Sequence, residues 1–331
     1  MAQRLAQGLL LPIAGLMEPT KPSKVQVPDD QGLAHAAQVI AQGGTVAVPT
    51  ETVYGLAARA DQDAAVAGIY RAKGRPDFNP LIVHVPDVTA ARGYALFDDR
   101  ALALAEAFWP GALTMVLPRR SDARLAAAVS AGLPTVALRV PAHPVMQALL
   151  KTCGYPLAAP SANRSGGVSP TSAAHVADSL AGRVDLILDG GETERGIEST
   201  IVGLRDDGTW ALLRPGPIPE AEIAAVLGQG STAVHSTRIE APGQLASHYA
   251  PGKPVRLNAM AAQEGEFLIG FGAVGGDVSL SASGDLAEAA ARLYACLHLA
   301  AAAPEALIAV APIPDEGIGT AINDRLRRAA A

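Results

Sequence analysis

The stretch Gly32-Leu-Ala-His-Ala-Ala-Gln-Val-Ile-Ala-Gln42, followed by Gly43-Gly44 and then Thr45-Val-Ala-Val48, decides the fold class. Apolar residues recur at helical spacing up to Gln42, the glycine pair stops the helix, and the apolar run beyond it reads as a buried strand. The pattern repeats outward. A helix is expected from about Ala64 to Ala72 and a strand over Leu81-Ile-Val-His-Val85, with further strands at Leu113 to Leu117, Thr135 to Val140 and Leu186 to Leu188. Helices are expected at Arg100 to Phe108, Pro144 to Lys151 and Ser172 to Leu180. Elements of both kinds interspersed in this way make an α/β domain.

The chain of 331 residues, 49% hydrophobic, can bury at least one sizeable core, and its length favours two domains. The expected division is an N-terminal extension over residues 1–24, a first domain over 25–222, a linker over 223–253 and a smaller α/β unit over 254–331. Residues 228–254 are rich in Gly, Ser, Thr and Pro without periodicity, the signature of a connector. The last unit should hold strands at Val255 to Leu257, Glu266 to Gly270 and Ala306 to Ala311, a long helix from Asp285 to Ala302 and a final helix from about Gly319. Near the start, Gly8 to Met17 has the look of a signal h-region, but Pro12 interrupts it and no small-x-small cleavage site follows, so a loosely ordered extension is expected.

A net charge of −6 argues against a protein that lives on nucleic acid, whose affinity is built from massed Lys and Arg. Cys153 and Cys296 lie far apart without metal spacing, so neither a disulfide framework nor a zinc cluster is expected, and a reducing cytoplasmic compartment suffices. No uncharged run is long enough to span a bilayer, so no membrane partner is expected.

Five segments could carry chemistry. Pro49-Thr-Glu-Thr52-Val-Tyr-Gly-Leu56 follows a buried strand and offers hydroxyls, a carboxylate and a phenol where α/β folds bind ligands; a plain capping turn fits it equally well. Arg71-Ala-Lys73-Gly-Arg75, running on to Asn79-Pro80, packs three cations into five residues. Such a cluster suits phosphate, and the alternative is a cationic helix end complementing the dipole. His84, inside an apolar strand, reads by itself as a satisfied core histidine. Ala158-Ala159-Pro160-Ser161-Ala162-Asn163, continuing to Ser169, lets backbone N–H groups approach an anion or nucleotide, or is a plain Ser/Gly loop. Gly196-Ile-Glu198-Ser199-Thr200 precedes another short strand, and Leu213-Arg214-Pro215-Gly216 puts one more cation in a turn. By contrast, Gly270-Phe-Gly-Ala-Val-Gly275 matches a dinucleotide fingerprint, but Val278 to Ser283 separates it from the next helix, leaving a phosphate no helix N-terminus.

PTETVYGL, KGRPDFNPLIVH, TVALR, APSAN and ESTIV occur in that order between residues 32 and 220, and together they resemble the Sua5/YrdC family of threonylcarbamoyl-AMP synthases. His248-Tyr249-Ala250-Pro251 and the run from Gly317 through Asp324-Arg325 resemble the two-domain Sua5 type. The resemblance implies an α/β catalytic domain, a YrdC-like twisted sheet with a large concave cleft, joined to a smaller Rossmann-like domain. It implies a nucleotidyltransferase joining L-threonine, bicarbonate or CO2 and ATP into L-threonylcarbamoyl-AMP with release of pyrophosphate. The product passes to the transferase machinery that makes t6A at position 37 of tRNA. Carried over by position, Thr52, His84, Arg139, Ala159 and Ser199 would surround threonine, with Arg139 as carboxylate clamp. Lys73, Arg75, Asn79, Thr135, Ser161, Asn163, Ser169, Arg214 and Tyr249 would surround ATP, and Mg2+ would bridge its phosphate oxygens. This reaction needs positioning and charge neutralisation rather than an enzyme nucleophile, in keeping with the absence of a nucleophile elbow. Two other readings compete with it. An RNA-binding or ribosome-associated YrdC-like factor sits badly with the negative charge and the lack of aromatics among the basic residues. A carbamoyltransferase-type maturation factor would carry zinc-finger and acylphosphatase modules that this length does not hold.

Overall fold

The computed structural model describes residues 23–75, 79–180, 182–228, 240–243 and 248–331. In chain order the first domain contains β1 (Lys24–Gln26), α1 (Asp30–Ala41), β2 (Val46–Val48), β3 (Gly55–Arg59), α2 (Asp63–Lys73), β4 (Ile82–His84), α3 (Val88–Ala91) and α4 (Asp99–Phe108). It continues with β5 (Leu113–Pro118), α5 (Ala127–Ser130), β6 (Thr135–Arg139), α6 (Pro144–Cys153), β7 (Leu157–Ala158), α7 (Ala173–Leu180), β8 (Leu186–Leu188), β9 (Thr200–Leu204), β10 (Trp210–Arg214) and α8 (Glu220–Leu227). The second domain holds β11 (Val255–Arg256), β12 (Glu266–Gly270), β13 (Val278–Ser279), α9 (Leu286–Ala302), β14 (Leu307–Val310) and α10 (Ile318–Ala329).

Local chemistry sets these elements. Asp29, Asp98 and Asp285 each accept a hydrogen bond from a backbone N–H in the first turn of α1, α4 and α9, filling donors that a helix start leaves orphaned. Pro144 opens α6, where a missing N–H costs nothing, and Gly154 ends it in the left-handed region.

The first ten strands form one mixed sheet in the order β1-β8-β2-β3-β7-β4-β6-β5-β9-β10, and the last four a parallel sheet in the order β11-β14-β12-β13. Pairing brings distant motifs to one edge of the large sheet. His84 at the end of β4 sits directly opposite Arg139 at the end of β6, and Leu113 at the start of β5 opposite Thr200 at the start of β9. Because β5 runs antiparallel to β6, its start lies beside the end of β6. A second apolar core binds the domains together: Tyr294, Leu297 and Ile322 of the second domain pack in one cluster with Val53, Val168, Ile197 and Tyr249.

The sequence reading departs from the structure in four places. Gly55–Arg59, taken as the tail of a turn, is strand β3, antiparallel to β2; its Leu-Ala-Ala core lacks the β-branched residues that advertise a strand. Arg214 closes strand β10 rather than sitting in a turn. Helix α8 reaches Leu227 and so occupies the first residues of the expected 223–253 linker, of which 229–239 and 244–247 lie outside the described residues. Of the expected N-terminal extension, residues 1–22 lie outside the described residues, and Lys24 opens β1. The Gly-rich run after β12 turns tightly into β13, and a Cβ on Gly270 or Gly276 would fall 2.4 Å from a backbone oxygen. Those glycines permit close backbone packing.

Candidate active site

A cavity opens at the strand ends that carry His84 and Arg139. Thr52, His84, Arg139, Ala159 and Ser199 line it together with Arg75, Ser161, Arg214 and Tyr249. These nine residues come from seven separate segments, and strand pairing and the domain contact bring them together. Lys73, Asn79, Asn163 and Ser169 are buried behind the wall. Thr135 stands apart, half-buried at the opposite end of β6 from Arg139. Residues 135, 137 and 139 share one face of that strand.

At one end of the cavity Arg139, 4% exposed, is held from three sides. Its Nη2 donates to Glu51 Oε1 at 2.7 Å, its Nη1 to Thr52 Oγ1 at 2.9 Å and its Nε to the Gly111 carbonyl at 3.2 Å. Thr50 fixes the turn beneath: its hydroxyl donates to the Val53 carbonyl at 2.7 Å and lies 2.8 Å from Thr52 Oγ1. Burial alone would raise the Glu51 pKa, but the Arg139 charge and hydrogen bond leave it below the usual carboxylate value, so this is an ion pair. Glu51 Oε2 is buried without a partner, as is Nδ1 of His84. Burial, and then the Arg139 charge, push the His84 pKa down to about 3, so the imidazole is neutral at pH 7. The Ser199 and Thr114 hydroxyls lie 2.7 Å apart. The Ala159 N–H donates to the Ile82 carbonyl at 3.1 Å.

The other end is cationic. Lys73 ends α2 and donates from Nζ to the Ser161 and Asn163 carbonyls at 2.6 and 2.5 Å, tying the cation segment to the 161–163 loop. Burial, then the neighbouring Arg75 charge, carry its pKa well below that of a free lysine. Arg75 donates to the Pro80 carbonyl at 3.1 Å, while its Nε and the Asn79 Oδ1 are buried without partners. Asn163 braces its own loop through the Gly167 carbonyl at 2.7 Å. Arg214 donates from Nε and Nη2 to the Ser199 carbonyl at 3.1 and 2.9 Å.

Tyr249, fully buried, closes this end, with its hydroxyl unpartnered and its φ at 64°. Gly243 lies against it at φ 85°; a Cβ there would stand 2.9 Å from the Tyr249 hydroxyl and 3.0 Å from Arg214 Cδ. Of the expected connector, Pro242, Gly243, His248 and Tyr249 therefore line the cavity.

The sequence reading missed four residues. Glu51 and Glu198 sit inside motifs beside threonines and serines, but nothing in the spacing pairs them with Arg139 and Arg325. His248 lines the cavity. Arg325, in α10, reaches the cavity wall through Glu198, which no local pattern could signal.

Among the described residues no helix is long and apolar enough to cross a membrane. Comparison with known proteins matches the Sua5_yciO_yrdC family model, described as telomere recombination, to residues 38–216, and the threonylcarbamoyl-AMP synthase C-terminal domain to residues 218–331. The threonylcarbamoyl-AMP synthase of Bacillus subtilis is 41% identical over 327 residues, 91% of this chain and 94% of that one. The crystal structure of Pyrococcus abyssi Sua5 complexed with L-threonine superimposes with a TM-score of 0.82 at 34% identity, covering 93% of this chain and 97% of that chain. A variant of the P. abyssi protein with His and Tyr each replaced by Ala superimposes with a TM-score of 0.83 at 33% identity, covering 93% of this chain and 96% of that chain.

Proposed function

Because the chain belongs to the Sua5/YciO/YrdC family and carries the threonylcarbamoyl-AMP synthase C-terminal domain, we propose that its cleft condenses L-threonine, bicarbonate or CO2 and ATP to L-threonylcarbamoyl-AMP and pyrophosphate. The observation that carries the proposal is the convergence of a buried Arg139–Glu51 pair, a neutral His84 and a cluster of Arg75, Arg214 and nearby Lys73 on one cavity. Arg139 offers the threonine carboxylate a planar, fixed guanidinium, which Glu51 and Thr52 hold in place. Glu51 is a positioning residue. Neutral His84 and the Ser199 hydroxyl can take hydrogen bonds from the substrate amine and hydroxyl without adding charge beside Arg139.

The carbamate oxygen must then meet the α-phosphorus in line with departing pyrophosphate. Arg75 and Arg214 on the cavity wall, with Lys73 behind it, neutralise the charge that builds there. Glu198, which lines the cavity, is engaged by Arg325, and Glu51, buried beside it, is engaged by Arg139. Among the described residues no group of three or more His, Cys, Asp or Glu could hold a metal ion. Mg2+ would arrive on the ATP phosphates. The reaction belongs in the cytoplasm, where the adenylate feeds the transferase that makes t6A at position 37 of tRNA.

Incubating the purified chain with ATP, Mg2+, bicarbonate and threonine should yield threonylcarbamoyl-AMP by mass spectrometry, with no product when any one substrate is omitted. Pyrophosphate release independent of threonine would refute the proposal.

A further inference from the structure

Glu198 lines the cavity, 6% exposed, on the segment that carries Ser199. Its carboxylate accepts hydrogen bonds from the Ser169 hydroxyl at 2.5 Å and from the Tyr294 hydroxyl at 2.9 Å. The fully buried Arg325 guanidinium donates to it from Nε at 3.0 Å. Tyr294 and Arg325 come from α9 and α10 of the second domain. Arg325 also donates from Nη1 to the Pro215 carbonyl at 2.7 Å and to Asp324 at 3.0 Å, while its Nη2 is buried without a partner.

Pro215 directly follows Arg214, whose guanidinium holds the Ser199 carbonyl. One arginine therefore grips both segments of the cavity's cationic wall. The backbone leaves no slack around this grip. A Cβ on Gly216 would fall 2.3 Å from Thr200 N and 2.7 Å from the Glu198 carbonyl, and a Cβ on Gly196 would fall 2.3 Å from the Ala291 carbonyl of α9.

A buried ion pair is a weak source of stability, since apolar side chains of similar volume often do as well. Its placement here points to function. An unpaired carboxylate on this wall would face the triphosphate and oppose the charge of Arg75 and Arg214. We propose that Arg325 of the second domain is a positioning residue for the ATP end of the cleft, neutralising Glu198 and locking the Arg214–Pro215 segment against Ser199. This inference rests on the synthase reading of the cavity. It gives the C-terminal domain a part in nucleotide use, with threonine held by the first domain.

The test compares the full chain with Arg325→Met, Arg325→Lys, Glu198→Gln and the double variant Arg325→Met with Glu198→Gln, measuring KM for ATP and for threonine and the thermal midpoint. Arg325→Met should raise the KM for ATP about tenfold or more, the scale of a lost charge-assisted contact, and that for threonine by less than about twofold. Removing the Glu198 charge should restore most of that loss in the double variant, and Arg325→Lys should lose less than Arg325→Met. Glu198→Gln alone is the reference against which the double variant is read.

Equal effects on both substrates, or a double variant no better than Arg325→Met, would overturn the inference. Should Arg325→Met fail to fold, Arg325→Lys decides the matter, and an unchanged KM for ATP or an equal rise in both KM values there overturns the inference. If the wild-type chain makes no adenylate the synthase reading itself fails. The same variants are then compared by calorimetric binding of a non-hydrolysable ATP analogue, where a wild type that binds it no better than Arg325→Met overturns the role of Arg325.

Discussion

At the Arg139 end of the cleft every group that holds the guanidinium belongs to the first domain: Glu51 and Thr52 from the β2–β3 turn and Gly111 from the approach to β5. At the Arg214 end the wall is assembled from three parts of the chain. Arg214 and Glu198 come from the large sheet and the loop before it, Gly243 and Tyr249 from between the domains, and Tyr294 and Arg325 from the second domain. The first end is preset by strand register. The second is completed by groups that the second domain brings. A defect in domain docking should therefore reach ATP use before threonine use, and a defect in the β2–β3 turn should do the reverse.

The largest break in this contrast is Arg139→Ala. It leaves Glu51, 6% exposed, as an uncompensated buried carboxylate, and stranding one partner of a buried pair costs about 3–5 kcal/mol. Urea denaturation should show a loss of that size together with loss of threonine-dependent turnover. Arg139→Lys keeps the charge but not the fork, so its KM for threonine should rise well above any change in its KM for ATP. A proportional rise in both would refute Arg139 as the carboxylate clamp.

The cationic end answers differently. Lys73→Ala and Arg75→Ala should each cost about 1.5–3 kcal/mol in ATP use, tenfold or more in kcat/KM for ATP, Arg75 because it is a charged donor on the cavity wall and Lys73 because it braces that wall from behind. Lys73→Ala should also loosen the Ser161–Asn163 loop, which its Nζ ties down. Unaltered pyrophosphate release in both variants would remove the phosphates from this end.

What the sequence disclosed follows the same division. Helices α1, α2, α4, α6, α7 and α9 were legible because apolar periodicity and caps are local, as were strands β2, β4, β5, β6 and β8, which are mostly apolar. Strand β3 was not, because alanines bury well in a sheet without signalling it. Arg139 and His84 could be named singly, but their facing each other is a product of β4–β6 register, which sequence spacing does not contain. Lys73 stood out as a cation in a Gly/Pro-bounded segment, yet its bonds to two carbonyls of a loop about 90 residues away appear only in the fold. Arg325 lay in a terminal motif with no hint that it reaches Glu198, 127 residues earlier.

Gly243 gives a finer test of the assembled wall. Its positive φ costs an L-residue about 1–2 kcal/mol, and a Cβ would stand 2.9 Å from the Tyr249 hydroxyl. Gly243→Ala should push Tyr249 from its seat and raise the KM for ATP severalfold while that for threonine holds. Steady-state titration of both substrates checks this, and a change confined to threonine would move Tyr249 out of the nucleotide end.

The smallest effect is on pH, and it separates the two regions by histidine. His84, at the Arg139 end, has its pKa lowered to about 3, chiefly by burial. His298 lies at the domain contact, stacked on His175 at 3.9 Å between centroids and 3.2 Å from the Ser169 carbonyl. Burial, then His175, lower its pKa to about 4, while Asp178 pulls the other way. Both are depressed below the unfolded value near 6.5, so the unfolded chain binds protons that the folded chain refuses. Stability is then fully present above about pH 6.5 and falls as pH drops toward the folded values. Each histidine should cost about 1 kcal/mol between pH 7.5 and 5.5. His298→Gln and His84→Gln should each flatten that decline in urea midpoints. If docking alone governs the nucleotide end, only His298→Gln should also flatten the pH dependence of the KM for ATP over the same range. Identical slopes in wild type and both variants would mean that neither histidine carries the acid sensitivity, and an ATP profile flattened by His84→Gln would dissolve the division between the two ends.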